Sequence, residues 1–211
     1  MEFRLLYRGK LPAQSSGGGG GHILEKHLIR KQIHVQLREL WKRHPFFSNY
    51  FGVVPGVSKR LHIDQNAADD EPTTRLDLLA HDFTKFGYRF VPLVCNRWGI
   101  GCSLDILFLR RDDPGQLIQG GGDIDNRIKV LWDGLRIPQY NREVEKFRPE
   151  AGEDPFFCLM EDDRLITEVR VVTDRLVLPM EQDEQVHDVH LVIHVKTKIL
   201  DPQAAPSVFG H

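Results

Sequence analysis

The sequence predicts an α+β fold: a small mixed sheet with helices packed on it, in one domain over residues 1–200. Three observations lead there. Apolar residues recur at three- and four-residue steps over His22–Arg43, and again from Asp123 to about Leu135, which is helical spacing. Short runs rich in apolar and β-branched residues, with stretches of alternation, have strand spacing. The resulting order is strand, helix, strand pair, helix, strand, strand.

Phe3–Leu11 reads as the first strand and ends at Pro12. Ser15–Gly21 holds five glycines, but no G-K-[ST] follows, so it is a connection and not a phosphate cradle. In the helix over His22–Arg43 the apolar positions are Ile23, Leu24, His27, Leu28, Ile33, Leu37, Leu40 and Trp41. Lys26, Arg30, Lys31, Arg38, Lys42 and Arg43 face only Glu25 and Glu39, a local charge of +4. From 44 to 71 the pattern is loose and partly helical, and Leu76–Phe86 reads as a short helix. Tyr88–Cys95 and Ser103–Leu109 are strands joined by the turn at 96–101; in the second, Leu104, Ile106 and Phe108 alternate with other residues. A turn-rich loop at 111–122 precedes the second helix, which Gly134 and Pro138 help to end. Gln139–Phe157 is a long polar loop, Leu165–Val172 and His187–Ile199 are strands, and 201–211 is a flexible tail.

Composition bounds the function. The chain has 211 residues and a net charge of −2. No run approaches the ~18–20 apolar residues of a membrane span, so no membrane partner is expected. The absence of a leader pattern points to a cytoplasmic protein. Cys95, Cys102 and Cys158 make neither a disulfide framework nor a C-x-x-C zinc pattern. A near-neutral charge argues at first sight against nucleic acid. That total, however, averages a basic helix, acidic clusters and a polar acidic insertion facing solvent.

The most informative segment is Gly122–Asp133, G-D-I-D-N-R-I-K-V-L-W-D. On a helical wheel Ile124, Ile128, Leu131 and Leu135 form a stripe bordered by Trp132. Asp125, Lys129 and Asp133 line the adjacent face. Asp123 sits at the N-cap position. Taken alone, these are a cap and two surface ion pairs. A second cluster, Glu161-Asp162-Asp163, opens a strand, where three consecutive acids repel one another unless a cation compensates. Together the two clusters could surround a divalent ion, and hard oxygen ligands suit Mg²⁺.

The pattern D-I-D-N-R-I-K-V-L-W-D-G-L followed by E-D-D-R-L-I-T-E-V-R-V resembles the RusA-type Holliday-junction resolvases. The match to D-x-D-N-x-x-K-x-x-x-D falls on Asp123, Asp125, Asn126, Lys129 and Asp133. The match to D-D-x-x-I falls on Asp162, Asp163 and Ile166. The resemblance implies a RusA-like fold with insertions near 44–86 and 139–157, and a homodimeric, Mg²⁺-dependent endodeoxyribonuclease acting on branched DNA in recombination and repair, nucleoid-associated. Asp123, Asp125 and Asp163 would be catalytic metal ligands, with Asp162 auxiliary and Mn²⁺ a possible substitute for Mg²⁺. Lys129 would be the catalytic lysine. Asn126 is read as orienting a carboxylate or capping the helix. Asp133 is too far along the helix for the same metal and is read as structural or paired to Lys129. Arg30, Lys31, Arg38, Lys42, Arg43, Arg127 and Arg170 are the expected DNA contacts. A nuclease for other branched DNA, or an idle nucleic-acid-binding module, are the rival readings. His187, His190 and His194 share one strand or its approach but are spaced too widely for one metal, so they read as surface histidines.

Overall fold

The computed structural model describes residues 1–13, 21–59, 72–111, 124–179 and 188–205. The elements in chain order are β1 (Glu2–Lys10), α1 (Ile23–Arg43), α2 (Pro45–Ser48), β2 (Val53–Ser58), β3 (Pro72–Thr74), α3 (Arg75–Asp82), β4 (Thr84–Lys85), β5 (Tyr88–Val94), β6 (Ile100–Arg110), α4 (Ile124–Leu135), β7 (Phe156–Met160), β8 (Ile166–Arg175) and β9 (Asp188–Ile199). The α+β class holds, but the strands divide into several sheets. One has the order β1-β9-β6-β8, a second is β4-β5-β7, and β2-β3 form a two-stranded ribbon. In the first sheet β9 runs antiparallel to β1 and β6, and β8 is parallel to β6. In the second, β5 and β7 are parallel. β5 and β6, though consecutive, therefore belong to different sheets. A 3₁₀ turn at Asn96–Trp98 and left-handed Gly99 (φ 57°) redirect the chain between them.

The alternation expected of β6 is present, with Leu104, Ile106 and Phe108 buried, and β9 alternates likewise through Leu191, Ile193 and Val195. β1 is an edge strand, and its outer ladder is completed by side chains of α1. Gln36 exchanges hydrogen bonds with the Leu6 N–H (2.8 Å) and carbonyl (2.7 Å), and Gln32 does the same with Arg8 (3.1 and 2.8 Å). β5 tolerates Pro92 because β4 pairs only with Tyr88 and Arg89; Pro92 lies beyond it, opposite Cys158 of β7. One core unites β1, α1, α4 and the strands of both main sheets, with Trp41, Ile29, Leu131 and Leu159 fully buried.

Several sequence expectations change. The buried face of α1 runs through Lys26, Arg30, Ile33, Leu37 and Trp41, while Leu24 and Leu28 are exposed. Gly134 lies inside α4 and does not end it. It packs on α1 so closely that a Cβ there would sit 2.6 Å from Ile29 Cγ2. The expected loop over 139–157 supplies the start of β7, whose five residues are all buried and so show no alternation. Two of its acids pair with α1: Lys31 Nζ lies 2.7 Å from Glu150, which is 70% exposed, and 3.2 Å from buried Glu153. The tail is seated over 201–205, where Leu200 and Asp201 donate to the Gly99 carbonyl at 2.7 and 3.0 Å and Ala205 reaches the core. The glycine run at 15–20, most of the loop at 111–122, His187 and the last six residues lie outside the described residues.

Candidate active site

α4 carries the first motif. Ile128, Leu131 and Leu135 point into the core, which leaves Asp125 and Lys129 on the outer face as an i, i+4 ion pair at 2.5 Å. The two side chains are 61 and 51% exposed. Asp133 continues this face, but there the helix runs under α1 and the face becomes interior. The Asp133 carboxylate meets Lys26 Nζ at 2.8 Å and also holds Arg136, not Lys129. Lys26 is 1% exposed. Arg30, equally buried, donates to the Asp133 carbonyl at 2.7 Å and lies 3.5 Å from Glu143. This cation thus caps the C-terminal carbonyls of α4, where the helix dipole is negative.

The second motif follows β7. Glu161 turns back to the neighbouring strand end and accepts from the Asn96 N–H at 2.9 Å. Asp162 caps the 3₁₀ turn Asp163–Leu165, accepting from the Arg164 N–H at 3.0 Å. It also takes the Arg164 guanidinium at 2.8 and 3.3 Å. Hydrogen bonds from Arg164 hold its carboxyl below the usual carboxylate range. Asp163 is shifted the other way. Partial desolvation, then the negative charges of Asp162 and Asp133, push its carboxyl up, and Arg136 opposes them.

The fold brings the two motifs to one place. Lys129, Trp132, Asp133, Arg136, Glu143 and Asp163 line a cavity of about 350 Å³. Asp125 does not line it, but is paired with Lys129, which does. Asp162 is engaged with Arg164 instead, which argues against an auxiliary ligand role. Asn126 is half-buried on α4. Asp123 lies outside the described residues. Among the described residues no group of three or more histidine, cysteine or carboxylate side chains forms a metal-holding cluster. The donor chemistry nonetheless suits a hard cation. Asp163 is a carboxylate with like charges beside it, and a cation would relieve that repulsion.

The basic residues expected to contact DNA fall into separate groups. Arg30 is interior, and this corrects its reading as a DNA contact. Arg38 donates to the Gly152 carbonyl at 2.9 Å and Lys31 is held by glutamates, so most of the +4 of α1 is used within the molecule. Lys42 and Arg43 are exposed, 3.6 and 3.5 Å from Glu39. Arg127 donates to the Leu11 carbonyl. Arg170 lies on β8, 70% exposed and 3.3 Å from Asp105. His194 is 3.1 Å from Glu2, an ion-pair geometry on the sheet.

Sequence reasoning missed Lys26, Arg136 and Glu143. Lys26 had a signal, because Lys26, Arg30, Ile33, Leu37 and Trp41 follow one another at helical steps of three and four. Arg136 and Glu143 had none, since they sit in a turn-rich stretch without periodicity.

No family model matches the chain, and no curated protein or solved structure is significantly similar to it. No helix among the described residues is long and apolar enough to cross a membrane.

Proposed function

We propose that the protein is a Mg²⁺-dependent endodeoxyribonuclease that cuts branched DNA, with four-way junctions as the expected substrate, and that it acts as a homodimer. One observation carries the reading: Lys129 and Asp163, from two motifs far apart in the chain, line the same cavity. Their convergence is what the resemblance to RusA-type resolvases requires.

Asp125 and Asp163, together with Asp123, would hold the ion. When bound, it supplies Lewis-acid polarisation of the phosphate and a water of lowered pKa. The remaining roles belong to the chain. Lys129 offers an ammonium at the cavity mouth, where it can meet a phosphate oxygen and offset charge developing in the transition state. Asp125 keeps that ammonium oriented until the phosphate arrives. Arg136 places a second positive charge in the wall, and its ion pair with Asp133 fixes its position. Trp132 contributes an apolar ring to the lining.

The test is nicking of a labelled four-way junction by the purified protein. Cleavage with Mg²⁺ and none with EDTA is expected. Lys129→Ala should slow cleavage by about 10²–10³-fold, the range for losing one charge-stabilising group. Failure to nick any branched DNA, or metal-independent nicking, would overturn the proposal.

A further inference from the structure

A second cavity of about 350 Å³ lies between α2, α3 and the 3₁₀ turn after β5, lined by Phe46, Asn49, Tyr50, Arg75, Arg97 and Trp98 among others. We propose that it binds one unpaired nucleobase of single-stranded DNA, with Arg75 and Arg97 taking the flanking phosphates. The proposal deepens the nuclease reading and rests on it for the choice of DNA as ligand.

The lining has the chemistry of a stacking platform. Tyr50 and Trp98 rings lie 6.2 Å apart at 62°, and Phe46 is 5.9 Å from Tyr50. Trp41 backs the cluster, 5.4 Å from Tyr50 and 6.0 Å from Trp98, and is fully buried. These contacts leave the rings little freedom to lose on binding. Trp98 is only 6% exposed and backs the platform with Trp41, so the partly exposed rings of Tyr50 and Phe46 are the ones a base meets; stacking there is independent of sequence, and the phosphates are drawn to guanidinium groups. Arg75 is exposed, and its side chain has no partner among the described residues. Arg97 reaches Asp82 at the rim. Both cations line the cavity together with Tyr50. Bases in a duplex are stacked and paired and cannot enter a concavity, so the occupant is an unpaired one.

Position ties this pocket to the acidic site. β5 and β7 are parallel neighbours, so the turns after them lie side by side, at the strand ends where α/β proteins commonly bind ligands. Arg97 and Trp98 sit in the first turn and Asp163 in the second. Asn96 joins the turns, through its N–H and side chain to Glu161 at 2.9 and 3.3 Å. A strand leaving a branch point can thus be held by one base beside the carboxylates.

The experiment uses the whole protein in EDTA and a fluorescent single-stranded oligonucleotide, read by anisotropy. Three probes are compared with it: the same strand with abasic sites, the matching duplex, and a free deoxynucleoside monophosphate. Removing the bases should weaken binding by roughly 5- to 150-fold, the range for losing one stacked base. Tyr50→Ala should reproduce that loss on the intact strand. Arg75→Ala, an exposed change that spares the fold, should lower the salt-dependence slope by about 0.7. Equal affinity for abasic and intact strands, or an unchanged slope for Arg75→Ala, overturns the proposal. So does a mononucleotide that competes as well as the strand. Junction nicking by the same preparation separates the two readings. Nicking with base-independent binding sinks the pocket alone, and base-dependent binding without nicking of any DNA sinks the nuclease alone.

Discussion

Asp125 and Asp133 lie two turns apart on one helix face, yet replacing each with asparagine should have opposite consequences. Asp133 is 15% exposed and serves Lys26, which is 1% exposed, and Arg136, which is 9% exposed. Asparagine preserves its shape but strips buried Lys26 of its counter-charge and leaves Arg136 with Glu143 alone, 3.6 Å away. Breaking a buried pair in this way costs about 3–5 kcal/mol. For a chain of this length that is a fall in Tm of about 6–20 °C. The Asp125–Lys129 pair is exposed, and such a pair contributes ~0.3–0.5 kcal/mol. Urea unfolding followed by circular dichroism measures both changes. Asp133→Asn should unfold at clearly lower urea, whereas Asp125→Asn should unfold as the wild type does and lose nicking. A double change, Lys26→Met with Asp133→Leu, should recover part of the stability, because it removes that buried pair together and leaves Arg136 on Glu143. An Asp133→Asn protein within 1 kcal/mol of wild type, or Asp125→Asn destabilised equally, would refute the reasoning (roughly 30-fold or more in the folding equilibrium separates these outcomes).

Other outcomes follow from the same structure. Gly134→Ala gains helix propensity of up to ~1 kcal/mol, but its Cβ would lie 2.7 Å from Ile29 Cβ, which cannot rotate away. Net destabilisation of roughly 1–2 kcal/mol is expected by thermal melting. His27 is buried against Phe147, ring centroids 3.8 Å apart, and desolvation with help from Arg30 lowers its pKa from 6.5 to about 4. The unfolded chain therefore takes up the proton first. Stability should be full above pH 6.5 and decline as pH falls toward 4, and His27→Leu should flatten that part of a stability–pH curve. Asp162 is one cause of the raised Asp163 pKa. Asp162→Asn should accordingly shift the acidic limb of a nicking pH–rate profile to lower pH; an unmoved limb would show that Asp163 ionisation does not control it.

The sequence made most of the fold legible where one side of an element is buried and the other wet. β1, α1, β6, α4 and β9 show such contrast, and these and β8 lie within a few residues of their expected limits. β7 was hidden because Phe156–Met160 is buried on both faces, so it carries no period of two. The division into several sheets was hidden as well. It depends on how the turn at 96–99 aims the chain, and alternation along each strand is the same whichever sheet it joins. Within the site, Lys129 and Asp163 were legible as types and positions. What surrounds them was not, since Lys26 and Arg30 looked like solvent-facing charges until α4 was packed over them. Their partners Asp133 and Glu143 come from across the fold, and only tertiary structure puts a negative charge in reach of each. The net charge shows the same lesson: much of the basic surface expected on α1 is neutralised internally by Glu143, Glu150 and Glu153.

The central claim is that Asp163 and Asp125 serve metal-dependent strand cleavage rather than stability. Single-turnover nicking of a labelled four-way junction, at fixed Mg²⁺ and with folding of each protein checked, tests it most directly. Cleavage by the wild type, and none by Asp125→Asn or Asp163→Asn proteins that are fully folded, is the expected result. Cleavage at the wild-type rate by either folded variant would contradict it.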